Sequence, residues 1–231
     1  MMNFRALILF AVAMTSLQHA TATCQETTLT RDGKDVTDAF TPVGKSLYYN
    51  DFAGLTLEVP PDAVVMADNK VQELAEASRE LVKERSSRFR KAIEKGYKSK
   101  TLFRLNLKRP EAKTVGILPG IAAWQEELKE NHEVTPERFL ANLRKAMQQS
   151  SKIKYHKDLF SKKTEEHTFN FQIGQVNVKK ADQTITGIQE QHVIILDDRA
   201  IGFALTYNTA SEGKTLREIL WSLKIDKEGS E

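Results

Sequence analysis

Two hydrophobic periods alternate along the chain. Ser46-Leu47-Tyr48-Tyr49 and Leu55-Thr56-Leu57-Glu58-Val59 flank Asn50-Asp51-Phe52-Ala53-Gly54, which reads as strand, turn and strand. Pro60-Pro61 ends this hairpin, because proline cannot donate to a ladder. From Asp68 the period changes: Val71, Leu74, Ala75, Ala77, Leu81, Val82, Phe89, Ala92 and Ile93 recur in steps of three and four and predict a long charged helix over 68–97. Asp68 or Asn69 supplies its cap, and Gly96 its end. A strand follows at Thr101–Leu107, then an apolar segment at Val115–Trp124 interrupted by Pro119-Gly120. Thr135-Pro136-Glu137 is a cap and first turn, with Phe139, Leu140, Leu143, Ala146 and Met147 on the buried face of the helix.

The C-terminal part is richest in strands. Ile153–Leu159, His167–Val178, Thr184–Leu196 and Ala200–Tyr207 carry the alternating pattern, and Asp197-Asp198-Arg199 joins the last two. A final helix is expected after a cap at Ser211, with Leu216, Ile219, Leu220 and Leu223 facing inward. Strands in runs with helices set apart from them predict an α+β domain, an antiparallel sheet flanked by helices, over residues 46–226. Leu57, Phe203 and Leu220 are expected in one core. Residues 23–45 read as a flexible leader and 227–231 as a tail, since neither shows an apolar period.

The first residues belong to a different class. Met1 to Arg5 is a short basic start, Ala6–Met14 is nine apolar residues, and Ala20-Thr21-Ala22 is a small-x-small site. This is the three-part pattern of a cleaved signal peptide over residues 1–22, too short in its apolar run to span a bilayer that needs about 20 residues. The protein is therefore expected to be exported, to the periplasm or beyond, in association with the membrane surface or free of it. Cys24 is the only cysteine, so no internal disulfide can form. Its place just behind the signal makes it a candidate for lipidation, although Thr21-Ala22-Thr23 departs from the usual lipobox; an unmodified thiol is the alternative.

Of the 231 residues, 40% are hydrophobic and 28% charged, the balance of a globular domain. The formal net charge is only +3, which argues against general nucleic-acid binding. The charge is segregated, however. Lys83 to Lys100 holds eight bases against two acids, with Phe89 and Tyr97 among them. Arg85, Arg88, Arg90, Lys91, Lys95 and Lys98 are thus a candidate interaction face for an anionic membrane surface or a protein partner, the alternative being the solvated side of an amphipathic helix.

Catalytic patterns are sparse. His156, His167 and His192 fall on strands of one meander and are weak candidates for a metal site, with Glu165 or Glu166 near them, but no ligand spacing supports it. No Gly-x-Ser-x-Gly or phosphate loop occurs, no cofactor motif is evident, and Asp197-Asp198 is turn chemistry.

Three segments together resemble a known family: Phe52-Ala53-Gly54-Leu55-Thr56-Leu57-Glu58-Val59-Pro60, Asp198-Arg199-Ala200-Ile201-Gly202-Phe203 and Ile219-Leu220-Trp221-Ser222-Leu223-Lys224-Ile225. In this order, around a Thr-Pro-Glu helix and a long meander, they resemble the PsbP-like family. That family comprises the extrinsic subunit of photosystem II and many exported bacterial proteins of unknown role. The resemblance implies an αβα sandwich over residues 46–226. The expected function is that of an exported, non-enzymatic accessory or binding protein of the cell envelope. The alternatives are a metal-assisted hydrolase using the strand histidines and an assembly factor or chaperone anchored through Cys24.

Overall fold

The alternation of the C-terminal half is realised as one large antiparallel sheet. The structure, a computed structural model, describes residues 40–44, 47–66, 71, 99–108, 117–128, 134–150, 153–180, 183–196 and 199–226. Among these, the strands are β1 (Phe40–Pro42), β2 (Leu47–Asn50), β3 (Leu55–Glu58), β4 (Val64–Met66), β5 (Ser99–Asn106), β6 (Gly120–Glu127), β7 (Lys154–Tyr155), β8 (Phe160–Lys163), β9 (Thr168–Lys180), β10 (Gln183–Ile195), β11 (Arg199–Tyr207) and β12 (Lys224–Ile225). Two helices are α1 (Pro136–Ser150) and α2 (Ala210–Trp221). The main sheet runs β1-β4-β5-β6-β11-β10-β9-β7, with β8 paired to β9, and a second sheet runs β12-β3-β2. The α+β class and the antiparallel sheet flanked by helices are as the sequence pattern predicts.

The pleat gives the main sheet two apolar faces. On one, α1 places Phe139, Leu140, Leu143 and Met147 against Trp124, Val176, Val193 and Ala204. On the other, Leu216 and Leu220 of α2 pack with Phe103, Phe203, Leu205 and with Leu55 and Leu57 of the small sheet. Leu57, Phe203 and Leu220 share that core. Among the described residues no helix is long and apolar enough to cross a membrane.

Several boundaries differ from the sequence reading. Phe40–Pro42, placed in the leader by composition, is an edge strand opposite Val64–Met66. Three residues are too few to show a period, and proline is at home on an edge. The expected strand Ile153–Leu159 shrinks to β7, and the chain then pairs again as β8, whose four residues are all exposed. The cap of α2 is Thr209 rather than Ser211: its hydroxyl accepts from the Glu212 N–H at 3.2 Å, and the Glu212 carboxylate accepts from the Thr209 N–H at 3.1 Å. This reciprocal pair satisfies two amide donors at once, which Ser211 cannot do. The signal segment, Cys24, the rest of the leader before Phe40, the 68–97 helix apart from Val71, and the 227–231 tail lie outside the described residues.

Candidate functional site

The six basic residues of the candidate face, Arg85, Arg88, Arg90, Lys91, Lys95 and Lys98, also lie outside the described residues. The three histidines do not converge on a metal site, and among the described residues no group of three or more His, Cys, Asp or Glu side chains could hold an ion. His156 is exposed beside β7. His167 sits at the β8–β9 turn, where burial lowers its pKa and Glu166 works against that. The Phe169 ring stands edge-on to both His167 and His192, at 6.5 and 6.4 Å between centroids. Alternation along separate strands fixed these residues for different neighbours.

His192 instead belongs to a cluster that the histidine spacing did not reveal. Glu190, two residues earlier on β10, shares its face, and both are fully buried. A carboxylate only accepts, so His192 Nε2 carries the proton donated to Glu190 Oε2 at 2.8 Å. The Tyr207 hydroxyl donates to Oε1 at 2.6 Å, and Arg217 of α2 donates to the same oxygen at 2.5 Å. Burial alone would raise the Glu190 carboxyl, but His192, Tyr207 and Arg217 outweigh it and hold it below its ordinary value. Burial pushes His192 down and keeps the ring neutral, while Glu190 pulls against it. The Tyr207 hydroxyl is pushed up to about 12, first by burial and then by Glu190. Arg217 ends above its ordinary value, because Glu190 and Tyr207 overcome the effect of its burial.

This arrangement anchors α2 to the sheet. Each donor meets an oxygen of one carboxylate, and the imidazole is stacked on Phe171 at 4.4 Å. A general base needs reach to a substrate proton, which a fully enclosed carboxylate bonded to three internal donors lacks. The signal in the sequence was the run of four successive polar residues, Gln189-Glu190-Gln191-His192, directly before the apolar Val193-Ile194-Ile195 of the same strand.

The exposed counterpart lies at the β2–β3 hairpin. Asn50 holds the turn by accepting from the Ala53 N–H at 3.1 Å and donating to the Leu102 carbonyl at 3.1 Å. Gly54 takes the left-handed conformation at φ 59°, and its carbonyl accepts from the Asp226 N–H at 2.8 Å. The turn is thus pinned both to β5 and to the end of β12. On this rigid base Tyr49 and Phe52 remain 51% and 57% exposed. The Tyr49 hydroxyl donates to Asp226 at 3.0 Å, and that bond, followed by the Asp226 charge, raises its pKa. The Lys100 ammonium lies over the Phe52 ring, 2.9 Å from its centroid. Tyr48, Tyr49, Asn50, Asp51 and Phe52 line a cavity of about 490 Å³, with Val65 and Met66 of β4 on its other wall. Asn50 to Gly54 reads as a turn in the sequence; its unusual mark is Phe52, an aromatic at a position a turn normally gives to a small polar residue.

No family model matches the chain, and no curated protein matches it. Among solved structures, it is similar to the solution structure of cyanobacterial PsbP from Synechocystis sp. PCC 6803, with a TM-score of 0.48 and 11% identity over 79% of this chain and 95% of that one. It is also similar to a crystal structure from Bacteroides thetaiotaomicron, with a TM-score of 0.43 and 11% identity over 81% of this chain. The match covers 50% of that protein, so the chain spans about half its length. At 11% identity no residue's role passes across from either structure.

Proposed function

We propose that the protein is an exported, non-enzymatic binding protein of the cell envelope, and that it docks on a protein partner through the β2–β3 hairpin. The observation that supports this reading is the pair of half-exposed aromatics, Tyr49 and Phe52, held over a cavity by a turn whose backbone and side chains are tied to two other strands. Aromatic groups rimmed by exposed polar ones, here Asp51 and Lys100, have the composition of protein interfaces, where a few anchors carry most of the energy. A fixed turn also reduces the ordering entropy that binding must overcome. The export part rests on the signal pattern of residues 1–22.

The test is chemical cross-linking in the envelope of the source cell, comparing the mature protein with a Tyr49→Ala, Phe52→Ala double variant. Wild type is expected to give a discrete protein adduct that the variant loses while its melting temperature stays within a few degrees. An adduct of undiminished yield in the variant overturns the assignment of the surface.

A further inference from the structure

The small sheet runs β12-β3-β2, and among the described residues no strand pairs with the outer side of β2. Two bonds on the far side of the sheet fix which backbone groups face that edge. The Gly54 carbonyl accepts from the Asp226 N–H at 2.8 Å, and the Glu58 N–H donates to Ser222 Oγ at 2.8 Å. Gly54 and Glu58, and Thr56 between them opposite Lys224, therefore turn their backbone groups toward β12 and the end of α2. Leu55 and Leu57 turn theirs the other way, to Asn50 and Tyr48. By the same alternation the N–H and C=O groups of Leu47 and Tyr49 point out of the sheet, and among the described residues they meet no hydrogen-bond partner.

An open edge of this kind is a template for one more strand. Because the turn is pinned at Asn50 and Gly54, the edge needs little further ordering to receive it. Leu47 and Tyr49 also share the solvent face of β2, at 53% and 51% exposure, so residues of an added strand directly opposite them lie on that face, where apolar cross-strand pairs are favourable. The residue between those two falls on the side of Tyr48, over the cavity that Tyr48 lines with Val65 and Met66. Charge distinguishes one end. Among the described residues lining the cavity only Asp51, at the turn, is charged, and it is exposed. In an antiparallel strand, the more stable pairing, the residue opposite Asp51 comes two before the one opposite Tyr49, and a cation complements it there.

We infer that β2 takes up an added strand from a partner protein: an extended segment antiparallel to β2, apolar at the three successive positions opposite Tyr49, Tyr48 and Leu47, with Lys or Arg opposite Asp51. The inference rests on the hairpin as the docking surface and specifies how the partner is held, through the backbone of Leu47 and Tyr49 as well as the exposed rings.

The probe is the peptide fluorescein-Lys-Thr-Val-Leu-Val-Thr-amide, whose valines stand opposite Tyr49 and Leu47, titrated with the protein and read by fluorescence anisotropy. Saturable binding is expected. N-methylation of either valine removes an N–H that pairs with the edge and is expected to weaken binding about fivefold or more, whereas N-methylation of the leucine, whose N–H points away from β2, is expected to change it less than about twofold. Replacing the lysine by glutamate is expected to weaken binding about threefold. Leu47→Pro removes one donor from the protein at the first residue of an edge strand, where proline is tolerated, and is expected to weaken the parent probe about as much as N-methylation of a valine does. Should Leu47→Pro not fold, the N-methyl series decides alone, because it leaves the protein untouched. Absence of saturable binding by the parent probe overturns the inference. So do equal losses from the methylated valines and the methylated leucine, no loss from either valine, a glutamate probe that binds as tightly as the lysine one, or undiminished binding to folded Leu47→Pro. Whether the hairpin docks a partner at all is read separately, from the envelope adduct and its loss in the Tyr49→Ala, Phe52→Ala variant.

Discussion

At the scale of single residues, the tightest constraint is Gly202 on β11. A Cβ there would come within 2.2 Å of the Trp124 ring, which is itself enclosed in the α1 core. Gly202→Ala is therefore expected to destabilise by about 1–3 kcal/mol, as overpacking does, measurable by urea unfolding. A change below about 0.5 kcal/mol, typical of surface positions, contradicts the packing. The Glu190 cluster makes a prediction in pH. Folding keeps His192 neutral where the unfolded chain protonates it near 6.5, so the unfolded state takes up more protons as pH falls below that value. Glu190 acts in the same direction at lower pH, its contribution being lost as pH falls below 4.5 and through its depressed folded value. The urea midpoint should thus drop between pH 7.5 and 5.5, and His192→Gln should flatten that drop. His167 has the same sign, so the slope that survives in His192→Gln should fall further in the His192→Gln, His167→Gln double variant. A midpoint that rises on acidification would contradict the neutral, buried imidazole. The sequence displayed His192 but not its meaning: it bonds to Glu190 at two residues, whose other donors are Tyr207 on the neighbouring strand and Arg217 on a helix, and only the fold brings those two near.

At the scale of elements, legibility followed length. The β2–β3 hairpin, β5, α1 and the β9–β10–β11 meander were visible because each repeats its period over enough residues to show a face. Strands β1, β4 and β12 have two or three residues each and are held by their pairing partners, so nothing local announces them. The cap of α2 was legible in principle, since Thr209 and Glu212 have the spacing of a capping box, yet Ser211 lies close enough to be taken for it. Thr209→Ala is expected to lower stability by about 1 kcal/mol and Ser211→Ala by a few tenths. Equal effects from the two variants, measured by thermal unfolding, would contradict the assigned cap.

At the scale of the whole molecule, two apolar layers on one sheet make α2 the element that joins the large and small sheets. Leu220 is fully buried there beside Leu55, Leu57 and Phe203. Leu220→Ala is expected to destabilise by about 2–5 kcal/mol, and a loss under about 0.5 kcal/mol would be inconsistent with that enclosure. The segregated charge of Lys83–Lys100 carries a separate expectation. If the segment is an interaction face, replacing Arg88, Arg90, Lys91 and Lys95 by Gln should weaken binding to anionic vesicles, and salt should imitate the variant, since exposed charges are screened beyond about 10 Å at 0.1 M ionic strength. Wild type that binds no anionic vesicle at any salt concentration would contradict the interaction-face expectation.

The central claim, that the β2–β3 hairpin is the docking surface, is tested most directly by a photo-reactive amino acid placed at position 52 and, as a control, at position 214 on α2, where Lys214 is likewise exposed. Irradiation in the native envelope should yield a discrete protein adduct from position 52 that is absent from position 214 and lost on adding Tyr49→Ala. Identical adduct patterns from the two positions, or none from position 52, would contradict the account.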